Sequence, residues 1–184
     1  MIDTERRKKL AFHLRQLSVG LISNDDFEYS LMEEITNGWL PEQYYRAQES
    51  KFDDEIILPM LELCWGLYDD TRNHKLKGSD KLSEESLKVI ARCILFLHSN
   101  QEYKWPYFDT NNPLQKFSFK EVVISILTLG HYYRDKRKKH YQAYTEFQKL
   151  GNFSIWPFLK IENYNEQLRK QPFLVGKQKQ PELA

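Results

Sequence analysis

Between Tyr132 and Tyr141 cations alternate with aromatics: Tyr132, Tyr133, Arg134, Lys136, Arg137, Lys138, Lys139, His140 and Tyr141. Arg and Tyr are enriched among interface anchors, so Tyr133, Arg134, Lys136, Arg137, Lys138, Lys139 and Tyr141 form a candidate docking patch for an acidic protein surface. Such a cluster can also contact phosphate, on RNA or on an anionic membrane. A net charge of +1 over 184 residues argues against a dedicated nucleic-acid binder. The blander reading is a solvated basic helix end with tyrosines packed beneath it. A second constellation, Asp69, Asp70, Arg72 and His74 beside Tyr68, gathers acid, base and cation at one helix end. Carboxylates there oppose the helix dipole, and that misfit points to an enzyme site built on no known motif as the rival reading. A binding protein would spread its charges over a shallow face, whereas an enzyme would converge them in a cleft.

No Gly-rich phosphate loop, His-Glu-x-x-His, Gly-x-Ser-x-Gly or zinc-type Cys/His spacing occurs. The five histidines, His13, His74, His98, His131 and His140, are scattered one per element. No catalytic residue, metal or cofactor is therefore assigned, and the balance leans against an enzyme. Cys64 and Cys93 sit in apolar helical patterns and read as buried free thiols. Of the acidic pairs, Asp25-Asp26, Asp53-Asp54 and Glu84-Glu85 fall in expected first helical turns, where the dipole favours carboxylates. His98 is placed to meet the opposite pole at the end of its helix.

The elements that must position these groups are helices; no strand pair shows convincing alternation. Asp3-Thr4 can cap a first helix that Gly20 ends, and Ser23 with Asp26 is a capping-box variant opening a second, with Phe27, Leu31 and Ile35 on one face. The segment from Leu14 to Ile35 is thus a helical hairpin, expected to pack within its own chain. A third, central helix is expected from Asp53-Asp54 through Tyr68, with Pro59 forcing either a kink or a start near Leu58. A fourth follows Ser83 and packs Leu87, Ile90, Ala91, Ile94, Leu95 and Leu97. Leu61, Cys64, Trp65, Tyr68, Ile90, Ile94 and Leu97 are expected to share the core. Ser118 opens a fifth helix to about Tyr133, residues 136–150 form another, and 162–170 a last short one. The fold class is all-α: one compact domain of about six or seven helices over residues 1–175, with 176–184 a flexible tail.

The small net charge hides an asymmetry. Residues 1–98 carry 13 Lys+Arg against 18 Asp+Glu, a net of −5, and the remainder a net of +6. The basic N-terminus lacks the apolar run of a secretory signal, and the most apolar stretch, residues 122–130, is far shorter than the ~20 residues of a spanning helix. Cytoplasmic residence is the expectation.

The opening hairpin, with Gly20, Ile22, Ser23, Asp26-Phe27-Glu28 and Leu31, is similar to the short helical oligomerisation motif called SHOCT, which implies a helix-pair contact surface. The blocks LCWGLYDDTRNHKL, ARCILFLHSNQEYKWP and FSIWPFLK resemble a family of bacterial proteins of unknown function. That resemblance implies bacterial origin and one domain of conserved length, and it transfers no catalytic residue. The functional expectation is a non-catalytic protein-binding domain of the kind from which toxin-neutralising immunity proteins are drawn, with an acidic protein surface as its partner.

Overall fold

The computed structural model describes residues 1–39, 41–44, 54–106 and 118–170, so the expected tail at 176–184 lies outside the described residues. The fold is all-helical. In chain order the helices are α1 (Thr4–Ser18), α2 (Asn24–Glu34), the single turn α3 (Pro41–Tyr44), α4 (Ile57–Trp65), α5 (Glu84–Leu97), α6 (Phe119–Leu127), α7 (His131–Lys149) and α8 (Ile161–Arg169). Two 3₁₀ turns, Gly78–Asp80 and Phe153–Ile155, complete the described elements.

The N-terminal hairpin forms as its caps dictate. Asp3 accepts from the Arg6 amide at 3.0 Å, and Ser23 and Asp26 make a reciprocal capping box at the start of α2. Gly20, at φ +67°, closes α1: its amide donates to Leu17 and that of Leu21 to Gln16, the 5→2 and 6→1 pair of a Schellman end. A Cβ at Gly20 would stand 2.6 Å from the Lys77 side chain and 3.0 Å from the Leu76 carbonyl oxygen, so space as well as conformation requires glycine. Leu14, Leu17, Phe27, Leu31 and Ile35 are all fully buried, so the hairpin's apolar stripe is covered by its own chain. Helix α1 packs along α5 and against α2, and α8 closes over α5.

A charged knot ties this layer together. Arg7 is fully buried and grips Asp54 with both arms of its guanidinium, Nε to Oδ2 at 2.5 Å and the terminal nitrogen to Oδ1 at 2.7 Å. Its remaining donors go to the carbonyls of Ser99 and Gln101 at 3.2 and 2.8 Å, and its face lies over the Phe96 ring at 5.4 Å. Asp54 also accepts from the Asp3 amide at 2.9 Å. Each of the three guanidinium nitrogens thus has a partner, which a buried ion pair needs if its attraction is to offset its desolvation.

Asp54 therefore lies outside the first helical turn expected at Asp53-Asp54, Asp53 itself being outside the described residues. Helix α4 begins three residues later, at Ile57, which puts Pro59 harmlessly within its first turn. The same helix stops at Trp65, short of the expected Tyr68. Leu61, Cys64, Ile90, Ile94 and Leu97 are buried as expected, but Trp65 and Tyr68 are only half-buried and Ala91 is exposed, while Cys93 and Phe96 fill α5's inner face. Both cysteines are buried free thiols, and burial pushes the Cys64 thiol up to about 12.

The expected helix from Phe119 to about Tyr133 is interrupted. Helix α6 ends at Leu127, the chain turns through Thr128–Gly130, and α7 starts at His131. Leu129 and Gly130 are both left-handed, at φ +50° and +80°. The turn repeats the Schellman end of α1, the Leu129 amide donating to Ile126 and that of Gly130 to Ser125, with leucine now where α1 has Gly20.

Candidate functional site

The α6–α7 hairpin differs from the rest of the molecule in which side it turns outward. Ser118 and Glu121 cap α6 reciprocally. Glu121 then reaches across to α7, accepting from Lys136 Nζ at 2.8 Å and from the Tyr132 hydroxyl at 3.0 Å, while Thr128 Oγ1 accepts from the Tyr132 amide at 3.2 Å. These bonds hold the Glu121 carboxyl down at about 2, the Lys136 ammonium being the largest cause, followed by the Ser118 amide and Tyr132. The seam between the two helices is polar.

The apolar residues of α6 consequently face away. No residue of α6 is buried. Phe119 is 84% exposed, Ile126 70%, Leu127 76% and Leu129 87%, with Val122, Val123 and Ile124 near 40%. A contiguous apolar surface of this kind marks a contact site. Only the far end of α7 enters the core, where Phe147 stacks on Tyr144 and packs against Trp105 and Phe153 at ring distances of 5.1 to 6.2 Å.

The structure divides the basic cluster. Residues advance about 100° apiece around a helix, so with Tyr132 and Lys136 on the seam, Arg134, Lys138 and Tyr141 fall on the opposite edge of α7 and Arg137 beside them. Arg134, Arg137, Lys138 and Tyr141 line one shallow depression with Gln142 and Thr145. Arg137 donates to the Tyr141 hydroxyl at 3.3 Å and lies over that ring at 5.6 Å, contacts that raise its already high pKa. Lys136 belongs to the seam, Lys139 lies near it, and Tyr133 is half-buried.

The alternative polar cluster is a loop whose hydrogen bonds maintain its own shape. Asp69 accepts from the Thr71 amide and hydroxyl at 3.0 and 2.6 Å, and Arg72 pairs with Asp80 at 2.6 Å and with Asp69 at 3.6 Å. The His74 ring faces the Arg72 carbonyl at 3.0 Å, its amide donates to Asn24, and Asp70 is exposed. The bond from Thr71, first among its causes, keeps the Asp69 carboxyl below its ordinary value. A cleft of about 440 Å³ lies elsewhere, between α4, α5 and the end of α7, lined by Leu63, Leu67, Val89, Tyr144, Phe147 and Trp156 among others, and none of Asp69, Asp70, Arg72 or His74 lines it. Among the described residues no cluster of three His, Cys, Asp or Glu could hold a metal. The histidines stay apart. His13 is buried with Nε2 3.3 Å from Glu34, and His98 does terminate α5, but burial, with Lys8 and Arg15 nearby, lowers its pKa and weakens the cationic role expected there.

Sequence reasoning missed α6 as a surface because seven apolar residues in eleven read as core. A signal was present: Glu121, Ser125 and Thr128, spaced four and three apart, put the polar edge where a neighbouring helix would sit. Among the described residues no helix is long and apolar enough to cross a membrane. No protein-family model matches the chain, and no curated protein or solved structure is significantly similar to it.

Proposed function

We propose that the chain is a non-catalytic protein-binding domain that docks an acidic partner on the outer edge of α7, through Arg134, Arg137, Lys138 and Tyr141. The observation that carries this reading is the placement of those four side chains around a shallow, exposed depression on a helix whose opposite edge is occupied by its own hairpin partner. Cations presented this way steer association and set specificity with little effect on the fold. Neutralising a toxin by direct binding, the mode of immunity proteins, is the specific role we favour, since it requires only a rigid scaffold and a complementary patch. A bacterial cytoplasmic setting fits that role.

The test is affinity capture from host lysate, with and without nuclease, comparing wild type with Arg137→Glu/Lys138→Glu. The expected result is one stoichiometric acidic protein that the double reversal loses, with a slower association rate and a steeper deficit at low salt. Equal recovery of that protein by both forms would refute the reading, and recovery that nuclease abolishes would assign the patch to RNA.

A further inference from the structure

We infer that the outer ridge of α6 is the interface through which two copies of this chain pair, a role separate from docking on α7. The ridge comprises Phe119, Val122, Val123, Ile124, Ile126, Leu127 and Leu129; Lys120, one turn from Val123 and Ile124, is its single charged neighbour on α6, and no charged side chain lies between Glu121, which is held in the seam, and His131. Each of the seven is 39% exposed or more.

Charge, size and backbone conformation select a second copy as the occupant. With Tyr132 and Lys136 locked against Glu121, the ridge points away from α7 while Arg134 and Lys138 point away from α6, so the apolar and basic surfaces occupy opposite edges of the hairpin. An anionic bilayer would require several cations flanking the apolar face, whereas α6 itself carries only Lys120 and the basic cluster lies across the hairpin. An acidic protein that matched the cations would likewise miss the ridge. Two copies joined ridge to ridge keep their basic edges outermost and apart, so the pairing carries little repulsion.

The size of the ridge agrees. At roughly 60 to 120 Å² of apolar surface per large side chain, the ridge presents on the order of 600 Å². A specific interface of standard size buries about 800 Å² per partner, so the ridge supplies most of one half of such a contact. A patch this apolar, with Lys120 its one charge, can also face its own copy, as a two-fold interface requires.

The backbone at the turn agrees as well. Leu129 holds a left-handed backbone that leucine rarely adopts, and its side chain is 87% exposed, so within one chain that conformation secures no packing. It carries the side chain to the turn at the end of the ridge, where a second copy can cover it. The resulting dimer would present two basic α7 edges and bind a repeated or dimeric partner with added avidity.

Size-exclusion chromatography with light scattering, from low to high micromolar protein, tests the inference on the full chain. Wild type should approach twice the 22.2 kDa of one chain. Ile126→Asp/Leu127→Asp should stay at the mass of one chain with an unchanged helical spectrum and melting curve, and Phe119→Lys should weaken pairing in the same direction. Arg137→Glu/Lys138→Glu should still pair, which separates a failure of this inference from a failure of the docking role. A wild type that remains a single chain throughout, or an Ile126→Asp/Leu127→Asp variant that still pairs, would overturn it. So would a single-chain wild type that co-sediments with phosphatidylserine vesicles through the ridge.

Discussion

The two hairpins of this molecule are written in nearly the same local code and are used in opposite ways. Each has a helix opened by a reciprocal capping box, Ser23 with Asp26 and Ser118 with Glu121, and each turns through a Schellman end. In α1–α2 the apolar stripes face the core, and Leu14, Phe27 and Leu31 vanish from the surface. In α6–α7 a carboxylate, a lysine and a tyrosine occupy the seam, and the apolar side is left outside. Local signals make a hairpin; which residues fill its seam decides whether it becomes scaffold or contact surface.

The contrast can be broken most severely at the Arg7–Asp54 knot. Asp54→Ala should destabilise the fold by about 3 to 5 kcal/mol, because it strands a fully buried guanidinium. Chemical denaturation reads this directly, and a loss below about 1 kcal/mol would show that Arg7 is solvated rather than sealed. Replacing both partners, as Arg7→Met with Asp54→Leu, should cost much less, since no unpaired charge is left.

Two matched truncations compare the hairpins directly. Phe27→Ala should cost about 3 to 5 kcal/mol as a core deletion, whereas Leu127→Ala, on a side chain already 76% exposed, should fall within about 0.5 kcal/mol of wild type at dilute protein. Equal costs would mean that α6 is covered within its own chain. Leu129→Gly should stabilise the single chain by about 1 kcal/mol, by relieving the left-handed strain. A destabilised Leu129→Gly would locate unseen packing at that turn.

The gentlest probe is pH. Glu121 has its carboxyl lowered from 4.5 to about 2, so the stability it lends the seam is fully present above pH 4.5 and is lost as pH falls toward 2. Carbon-13 NMR of the carboxyl should show a midpoint near 2 in wild type and a higher one in Lys136→Met. A wild-type midpoint near 4.5 would dissolve the seam.

What the sequence discloses follows from how local each determinant is. The α1–α2 hairpin was legible because Ser23, Asp26 and Gly20 act within four residues of themselves. Pro59 likewise pointed to a start of α4 near Leu58, but the role of Asp54 was hidden, because it answers to Arg7, 47 positions away, and no periodicity reports so distant a pairing. The break before α7 was hidden by Leu129, a residue whose type argues against a left-handed turn. In the candidate site the residue types were legible, but their division between seam and outer edge depends on Glu121 reaching Lys136 fifteen residues later. The exposure of α6 was illegible by composition, since an apolar helix is covered in either case; what differs is whose atoms cover it.

Whose atoms cover α6 is read most directly by hydrogen–deuterium exchange on the intact chain. Peptides spanning residues 14–35 should exchange slowly at every protein concentration, because their cover is intramolecular. Peptides spanning 119–130 should exchange quickly in dilute protein and slow markedly as concentration rises. If 119–130 is as protected in dilute protein as 14–35, the chain covers α6 by itself and the division between scaffold and contact hairpin is wrong.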